Sequence, residues 1–218
     1  MINKNITLAI DGTAASGKGT LARSLSKEFN FAYLDTGKLY RASALIISKE
    51  NIHYENIAAI KKIIKNFDFS NFDFNNERLK SDEIGKLASM ISGYKELRKI
   101  LLQYQKFFAC KKHNDQIGVI LDGRDIGTVV LPEADIKFFI TASLSIRAER
   151  RWKELISLGQ STIKRRVEED IRDRDERDSK RKHSPLVAAP DAILLDTTNL
   201  DANESFLLAK EYVEQHLN

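Results

Sequence analysis

The chain has 218 residues, 42% of them hydrophobic and 30% charged, an ordinary balance for a globular protein and enough material for one large domain. No apolar run approaches the roughly 18 residues of a membrane span, and Met1 to Asp11 reaches an acidic residue too early for a signal sequence, which points to a cytoplasmic protein without a membrane partner. The net charge of +4 arises from 35 Lys and Arg against 31 Asp and Glu, interleaved with no unbalanced basic arm, which argues against nucleic acid as a partner.

Ile6 to Asp11 reads as a buried strand and residues 18 to 29 as a helix, and between them stands GTAASGKGT, Gly12 to Thr20. A strand, a glycine-rich loop and a helix in that order gather backbone N–H groups and a helix N-terminus around one point, which is what a chain of phosphates requires. Only small side chains separate Gly12 from Gly17, so a ligand can approach the backbone, and Lys18 is a point charge able to reach β and γ phosphates. The strict phosphate-loop pattern has Ser or Thr directly after the lysine, whereas here Gly19 intervenes and Thr20 follows. A Gly/Ala-rich turn with a solvated lysine is the bland alternative; the flanking strand and helix favour a nucleotide.

A second strand is expected at Ala32 to Leu34 and a helix over 38 to 50, with Thr36 as its candidate cap and Arg41 one turn inside, able to point along the same rim. Helices over 56 to 66, 81 to 91 and 94 to 112 follow, in a stretch far longer than one crossover needs. Within it Phe67-Asp68-Phe69-Ser70-Asn71-Phe72-Asp73-Phe74 alternates with period two, which predicts an inserted lobe with a small strand pair.

Gly118 to Leu121 is a buried-strand pattern with Asp122-Gly123-Arg124-Asp125 at its carboxyl end, where open parallel sheets collect ligands. Asp122 is placed to hold Mg²⁺, through water, and Arg124 to clamp a second phosphate; a turn with a local Asp–Arg pair is the alternative. After a strand at Ile136 to Thr141 comes a helix over 143 to 157, whose Arg147, Arg150 and Arg151 suit either a flap closing on a transferring phosphoryl group or a solvated face. Ser157 to Thr162 reads as a mobile flap.

Over 161 to 179 the expected helix is dense in charge, and pairs such as Asp170–Arg174 and Asp173–Arg177 are its plain reading. Yet Val167, Ile171, Arg174, Asp178 and Arg181 form one stripe that passes from apolar to charged on the side facing the protein. Arginines held inward need anions, so a bound phosphate is expected there, with Arg177 off the stripe as a solvated pair partner. A strand at Ala192 to Leu195 and a helix over 202 to 216, opened by a capping box of Asp201 and Glu204, complete an α/β alternation that specifies a parallel sheet covered by helices. Cys110, His53, His113, His183 and His216 form no metal-ligand spacing and no nucleophile–base pair.

IDGTAASGKGT, LDTGKLYR, LDGRDIGTVVLPEADIKFFITAS, RDRDERDSKR and PLVAAPDAILLDTT, spread over nearly the whole chain, together resemble the bacterial cytidylate kinases of the nucleoside monophosphate kinase group. Gly19, odd against the strict loop pattern, is usual in that group. The resemblance implies a three-layer P-loop kinase fold in a single domain, with a core of residues 1–40, 110–145 and 175–218, an NMP-binding lobe over 41–109 and a lid over 146–174. It implies transfer of a phosphoryl group from ATP to CMP or dCMP with Mg²⁺, by a monomer. Matched by position, ATP would lie on Gly12, Thr13, Ala14, Ala15, Ser16, Gly17, Lys18, Gly19 and Thr20, with Arg150 and Arg151 over it, and Thr20 and Asp122 would serve the metal. Arg41, Arg124 and Arg181 would hold the CMP phosphate, with Thr36 and Tyr40 beside them, Arg174 near the transferred group and Asp178 on the sugar. Lys18, Arg124, Arg174 and Arg181 would be catalytic, and Ser89, Arg98 and Asp125 would read the base. Thr36 stands where a serine is frequent in the group, and the lobe's antiparallel sheet is expected to shrink to about Phe67 through Leu79. The rivals are a kinase of the same architecture for UMP, AMP or a small metabolite such as shikimate, a P-loop regulatory switch, and a nucleic-acid binding module.

Overall fold

The computed structural model describes residues 6–217 and forms a five-stranded sheet. Strands β1 (Ile6–Gly12), β2 (Phe31–Asp35), β3 (Gly118–Gly123), β4 (Ile136–Thr141) and β5 (Ile193–Asp196) lie in the order β2-β3-β1-β4-β5, and every pairing is parallel. Such sheets are covered on both faces, which is why β1 and β3 read as almost unbroken apolar runs. Alternate residues divide between the faces. Leu8, Ile10, Phe138 and Ile140 pack on α1 (Lys18–Phe29) and α8 (Ala202–Leu217). Ala9, Val119 and Leu121 pack on the opposite side, against Ala109 of α5 (Lys95–Cys110) and a π-helical turn at Ile126–Val130. Three layers result, and each strand lies within a residue or two of its expected place.

The register brings the carboxyl ends of the strands to one edge: Asp35 stands beside Asp122, Asp11 beside Gly123, and Gly12 beside Ile140. Chain leaves β1 there under tight steric control. Gly12 adopts φ +154, and a Cβ on it would fall 2.1 Å from the Ile140 carbonyl oxygen, so only glycine lets β1 turn into the loop while still paired with β4. Gly17, at φ 88, then turns the loop into α1.

Between β2 and β3 the chain builds a second apolar cluster. Helix α2 (Thr36–Lys49) is buried along most of its length, and its Leu39, Leu45 and Ile47 pack with residues of α3 (Ile57–Lys65), α4 (Asp82–Ile91) and α5. The expected strand pair is absent from this segment. Residues Phe69–Asn71 and Glu77–Lys80 are 3₁₀ turns, because the polar half of the alternation bonds locally. Asp68 accepts from the Ser70 N–H at 2.9 Å, Asp73 from the Asn75 N–H at 2.9 Å and Asn76 from the Arg78 N–H at 3.0 Å. Each such bond removes a donor from a ladder and turns the chain. The phenylalanines pack edge-on in that folded-back form, Phe67 on Phe69 and Phe72, and Phe72 on Phe74.

Two further expectations shift locally. Thr36 does not cap α2: Asp35 accepts from the Lys38 N–H at 3.1 Å, while the Thr36 hydroxyl donates to the Asp122 carbonyl at 2.7 Å. The helix after the flap, α7 (Lys164–Lys180), begins three residues later than expected: residues 161–163 carry no regular structure, Ile163 is extended, and the Trp152 indole of α6 (Leu144–Ser157) donates to the Thr162 carbonyl at 3.1 Å. The capping box of Asp201 and Glu204 forms with both reciprocal bonds at 2.8 Å. Because of the approach to Ile140, Gly12→Ala should destabilise the protein by about 3 kcal/mol or more; denaturant titration of the two forms measures this.

Candidate active site

The carboxyl edge of the sheet opens into a cleft of about 1010 Å³ lined by the loop after β1, the start of α2, one side of α4 along its length, the Asp122-Gly123-Arg124-Asp125 segment, and α6 and α7. On its floor the loop supplies Ser16 and Gly17 directly before α1, where unpaired N–H groups and the helix dipole favour an anion. Thr13 Oγ1 and Ser16 Oγ are buried without a hydrogen-bond partner among the described residues. A buried orphan hydroxyl is costly, so these atoms fit a ligand that supplies their partner. Lys18 enters the same space. Burial first, then Arg124, push its ammonium down from 10.5 to about 8.

Across from the loop stands Asp122, whose Oδ2 accepts from the Tyr33 hydroxyl at 2.8 Å. Burial and then the neighbouring Asp35 raise its carboxyl to about 6, against the opposing pull of Lys18, the Tyr33 hydrogen bond and Arg124. A Cβ on Gly19 would lie 3.3 Å from that oxygen. Glycine after the lysine therefore keeps the passage between loop and Asp122 clear, which explains the departure from the strict pattern. Tyr33 and Asp35 escaped the sequence reading, although the parallel register that pairs Asp35 with Asp122 carried the signal.

The charged stripe of α7 faces inward as expected. Val167, Ile171 and Asp178 are buried, and Asp178 gathers the arginines. It accepts from Arg124 Nε at 3.0 Å and stands 3.6 Å from Arg181 Nη1 and 3.9 Å from Arg174 Nε. Arg174 Nε and Arg181 Nη2 are buried without a hydrogen-bond partner among the described residues. Burial and then Arg124 lower the Arg174 guanidinium to about 9, while burial and then Arg98 lower that of Arg181. Arg177 lies on the exposed side, with its Nε 3.4 Å from Ser89 Oγ. The expected surface pair of Asp170 with Arg174 gives way to a 2.9 Å pair between Asp170 and Lys86 of α4.

Farther along the cleft, Asp125 is fixed by a 2.6 Å bond from Arg98, which also donates to the Ser92 carbonyl at 2.9 Å and lies over the Tyr40 ring at 5.4 Å. Arg41 donates to the backbone carbonyls of Leu79 and Ser81, and Gly85 provides its room, since a Cβ there would meet the guanidinium at 2.9 Å. Burial and then Arg151 lower its proton affinity. The three lid-side arginines part company. Arg151 pairs with Asp82 of α4 and with Glu154, both at 2.9 Å. Arg150 donates to Thr197 Oγ1 and to the Thr197 and Leu200 carbonyls. Arg147 is neither solvated nor free to close, being buried against Ala14, Ala142 and Asp175. None of the described residues forms a cluster of three or more His, Cys, Asp or Glu suited to a metal, and no described helix is long and apolar enough to cross a membrane.

A strand, a phosphate-cradling loop and a helix, beneath a lid rich in inward arginines, define a P-loop phosphotransferase. Among solved structures, the chain overlays an uncharacterised protein from Eubacterium ventriosum with a TM-score of 0.55 at 11% identity, covering 96% of this chain and 99% of that one. It overlays a sugar kinase from a Janibacter species with a TM-score of 0.51 at 12% identity, covering 97% and 95%. At these identities the likeness is one of fold. Residues 8–215 match the family model for cytidylate kinase. The cytidylate kinase of Acidiphilium cryptum is 43% identical over 99% of both chains, and that of Paramagnetospirillum magneticum 45% identical over 93% of this chain and 94% of its own. The chain belongs to the cytidylate kinase family.

Lys18 supplies a pH test. In the free protein its ammonium is lost above about 8 rather than 10.5, whereas a bound polyphosphate favours the charged form and raises the value again. Nucleotide binding should therefore take up protons between those two pH values, and affinity should fall as pH rises through that window. Titration calorimetry in buffers of different ionisation heat reads the proton count, and Lys18→Met should abolish most of it.

Proposed function

We propose that the protein transfers the γ-phosphoryl group of ATP to CMP or dCMP, giving ADP and CDP or dCDP, in pyrimidine nucleotide metabolism in the cytoplasm. The observation that carries this reading is the meeting of Lys18, Arg124, Arg174 and Arg181 in one cleft, with buried orphan donors on both the loop and α7. One phosphate chain does not need so many cations; two anionic substrates meeting end to end do. Residues 1–40, 110–145 and 175–218 act as the base, 41–109 as the acceptor-binding lobe and 146–174 as the lid, in a monomer.

ATP lies with its phosphates on the loop from Gly12 to Thr20, with Lys18 at the transferred group, and Arg150 and Arg151 cover it from the lid. Arg41, Arg124 and Arg181 hold the acceptor phosphate, beside Thr36 and Tyr40, while Asp178 accepts from the sugar hydroxyls. Asp125 accepts from the cytosine amine, the Ser89 hydroxyl donates to the ring nitrogen, and Arg98 completes the base-reading set while fixing Asp125. An exocyclic amine is a donor, so this set favours cytosine over uracil. The residues fit Mg²⁺: Asp122 and Thr20 would hold it, partly through water, in the manner of an ion bound by few side chains and by substrate phosphates. Bound there, it would neutralise charge on the phosphates.

An oxygen of the acceptor phosphate forms the new bond to the γ phosphorus as the bond to the bridging oxygen of ATP breaks, leaving ADP. Alignment and charge stabilisation supply most of the rate. Lys18 and Arg174 meet the charge spreading over the transferred group, and Arg124 and Arg181 keep the attacking oxygen in line. The lid excludes water, which would otherwise accept the phosphoryl group.

ADP release measured with ATP, Mg²⁺ and CMP, dCMP, UMP, AMP or GMP in turn should show strong stimulation by CMP and dCMP alone; activity with AMP or GMP in their place defeats the assignment. Lys18→Ala should lower kcat by about 10²-fold or more while leaving CMP binding nearly intact, as for loss of a donor to a developing charge. Equal losses in both would remove its role. Asp125→Ala should cut the CMP-over-UMP preference by about tenfold or more, and an unchanged ratio of kcat/KM would take Asp125 out of the base-reading set.

A further inference from the structure

The phosphate loop is gripped from behind by the lid helices. The Ala14 N–H donates to Asp175 Oδ1 at 3.0 Å, and the Ala14 carbonyl accepts from Arg147 Nη1 at 3.0 Å. The same Arg147 nitrogen donates to Asp175 Oδ2, while Arg147 Nε donates to the Ala142 carbonyl, just beyond β4, at 2.8 Å. One ion pair thereby joins the end of β4, the loop, α6 and α7. Its side chains are only 8% and 17% exposed, so the geometry is fixed, and removing either partner strands a buried charge.

The residue after the clamped one shows what the grip sustains. Ala15 stands at φ 58, a left-handed conformation that its Cβ disfavours. Such a conformation persists only where the surroundings over-determine it, and both backbone polar groups of the preceding residue are tied to Arg147 and Asp175. Asp175 in turn is the neighbour of Arg174 and lies within one turn of Asp178. The helix turn that holds the loop is thus the turn that presents the side chains on the acceptor side.

We propose that Arg147 and Asp175 are positioning residues that lock α7 to the phosphate loop, so that ATP in the loop and CMP against α7 each stabilise the arrangement the other requires. The proposal rests on the reaction given above. Neither residue contacts a substrate; the pair acts through Ala14 on one side and Arg174 on the other. Linkage makes the effect reciprocal: whatever factor CMP contributes to ATP affinity, ATP contributes to CMP affinity.

The test measures binding of a non-hydrolysable ATP analogue with and without CMP, binding of CMP with and without the analogue, and steady-state turnover. In the wild-type protein each ligand should tighten the other by the same factor, about fivefold or more. Asp175→Asn keeps the acceptor for the Ala14 N–H and loses the charge facing Arg147, whereas Arg147→Lys keeps charge and loses the planar fork. In both, the coupling factor should fall to about one and kcat by about 10²-fold, and CMP alone should bind more weakly, because the arrangement it favours is lost. A merely structural pair would lower the melting temperature and leave coupling and kcat of the folded variants at wild-type values, and that result overturns the proposal. Amide exchange in the wild-type protein gives a reading that does not depend on the variants folding: CMP alone should slow exchange at Ala14, and unaltered exchange there overturns the proposal. Failure of the wild-type protein to turn over CMP would instead remove the reaction itself, and ADP release reads that separately.

Discussion

Positive charge held together ahead of its anion is the constraint from which the rest of the site follows. Lys18, Arg41, Arg174 and Arg181 each have their proton affinity lowered, by burial first and then by a neighbouring arginine. Carboxylates offset this repulsion: Asp122 and Asp35 act on Lys18, Asp35 and Asp82 act on Arg41, and among Arg124, Arg174 and Arg181 the group is Asp178. Burial alone would raise its carboxyl, but Arg124, Arg174 and Arg181 together draw it below the ordinary range. One carboxylate cannot satisfy three guanidiniums, so nitrogens on Arg174 and Arg181 are left without hydrogen bonds. A phosphate entering this space meets donors already desolvated and aimed, and little reorganisation remains to be done at the moment of transfer.

The anchoring of the lid is uneven along its length. At its base, the buried Arg147–Asp175 pair fastens α6 and α7 to the phosphate loop. At its outer side, the ion pairs to the inserted lobe are Lys86–Asp170 and Asp82–Arg151, each with one or both partners substantially exposed, beside the 3.4 Å approach of Arg177 to Ser89. Exposed pairs of this kind contribute about 0–1 kcal/mol each. The contact of the lid with α4 is thus the weaker of its two attachments, and the hold of α7 on the loop is the stronger.

Much of this was legible in the sequence because it follows from short-range rules. The phosphate loop announced itself through small residues between a strand and a helix, and the order of apolar runs placed all five strands. The stripe from Val167 to Arg181 correctly told an inward charged face from a solvated one, since helical periodicity continued unbroken through the change from apolar to charged. Failures came where two local rules compete or where distant segments meet. Phe67 to Phe74 has strand periodicity, but Asp68 and Asp73 bond to their own backbone and win. Thr36 and Asp35 are both good caps, and the tertiary bond from Thr36 to the Asp122 carbonyl leaves the role to Asp35. Nothing local marks Arg147 as a strut, because its partners Ala14 and Asp175 are far away in the chain and are brought to it only by the stacking of α6 on α7 at the loop.

The irregular backbone after β3 is held from β1. Asp11, buried beneath the start of the phosphate loop, accepts from the N–H groups of Ile126 and Gly127, both at 2.8 Å. Burial, the largest influence on it, raises its carboxyl to about 6 despite those two bonds. An apolar residue at this position would leave the two N–H groups buried and unpaired, each at a cost of about 1–3 kcal/mol, and the turn at Ile126–Val130 would lose what holds its first residues. Asp125 immediately precedes that turn and bonds to Arg98. The carboxylate at the end of β1 thus aims the residue assigned to the cytosine while the next residue, Gly12, opens the loop assigned to ATP. The loop and the Asp125 segment are both tied to adjacent residues of one central strand, the first through the chain and the second through two buried hydrogen bonds.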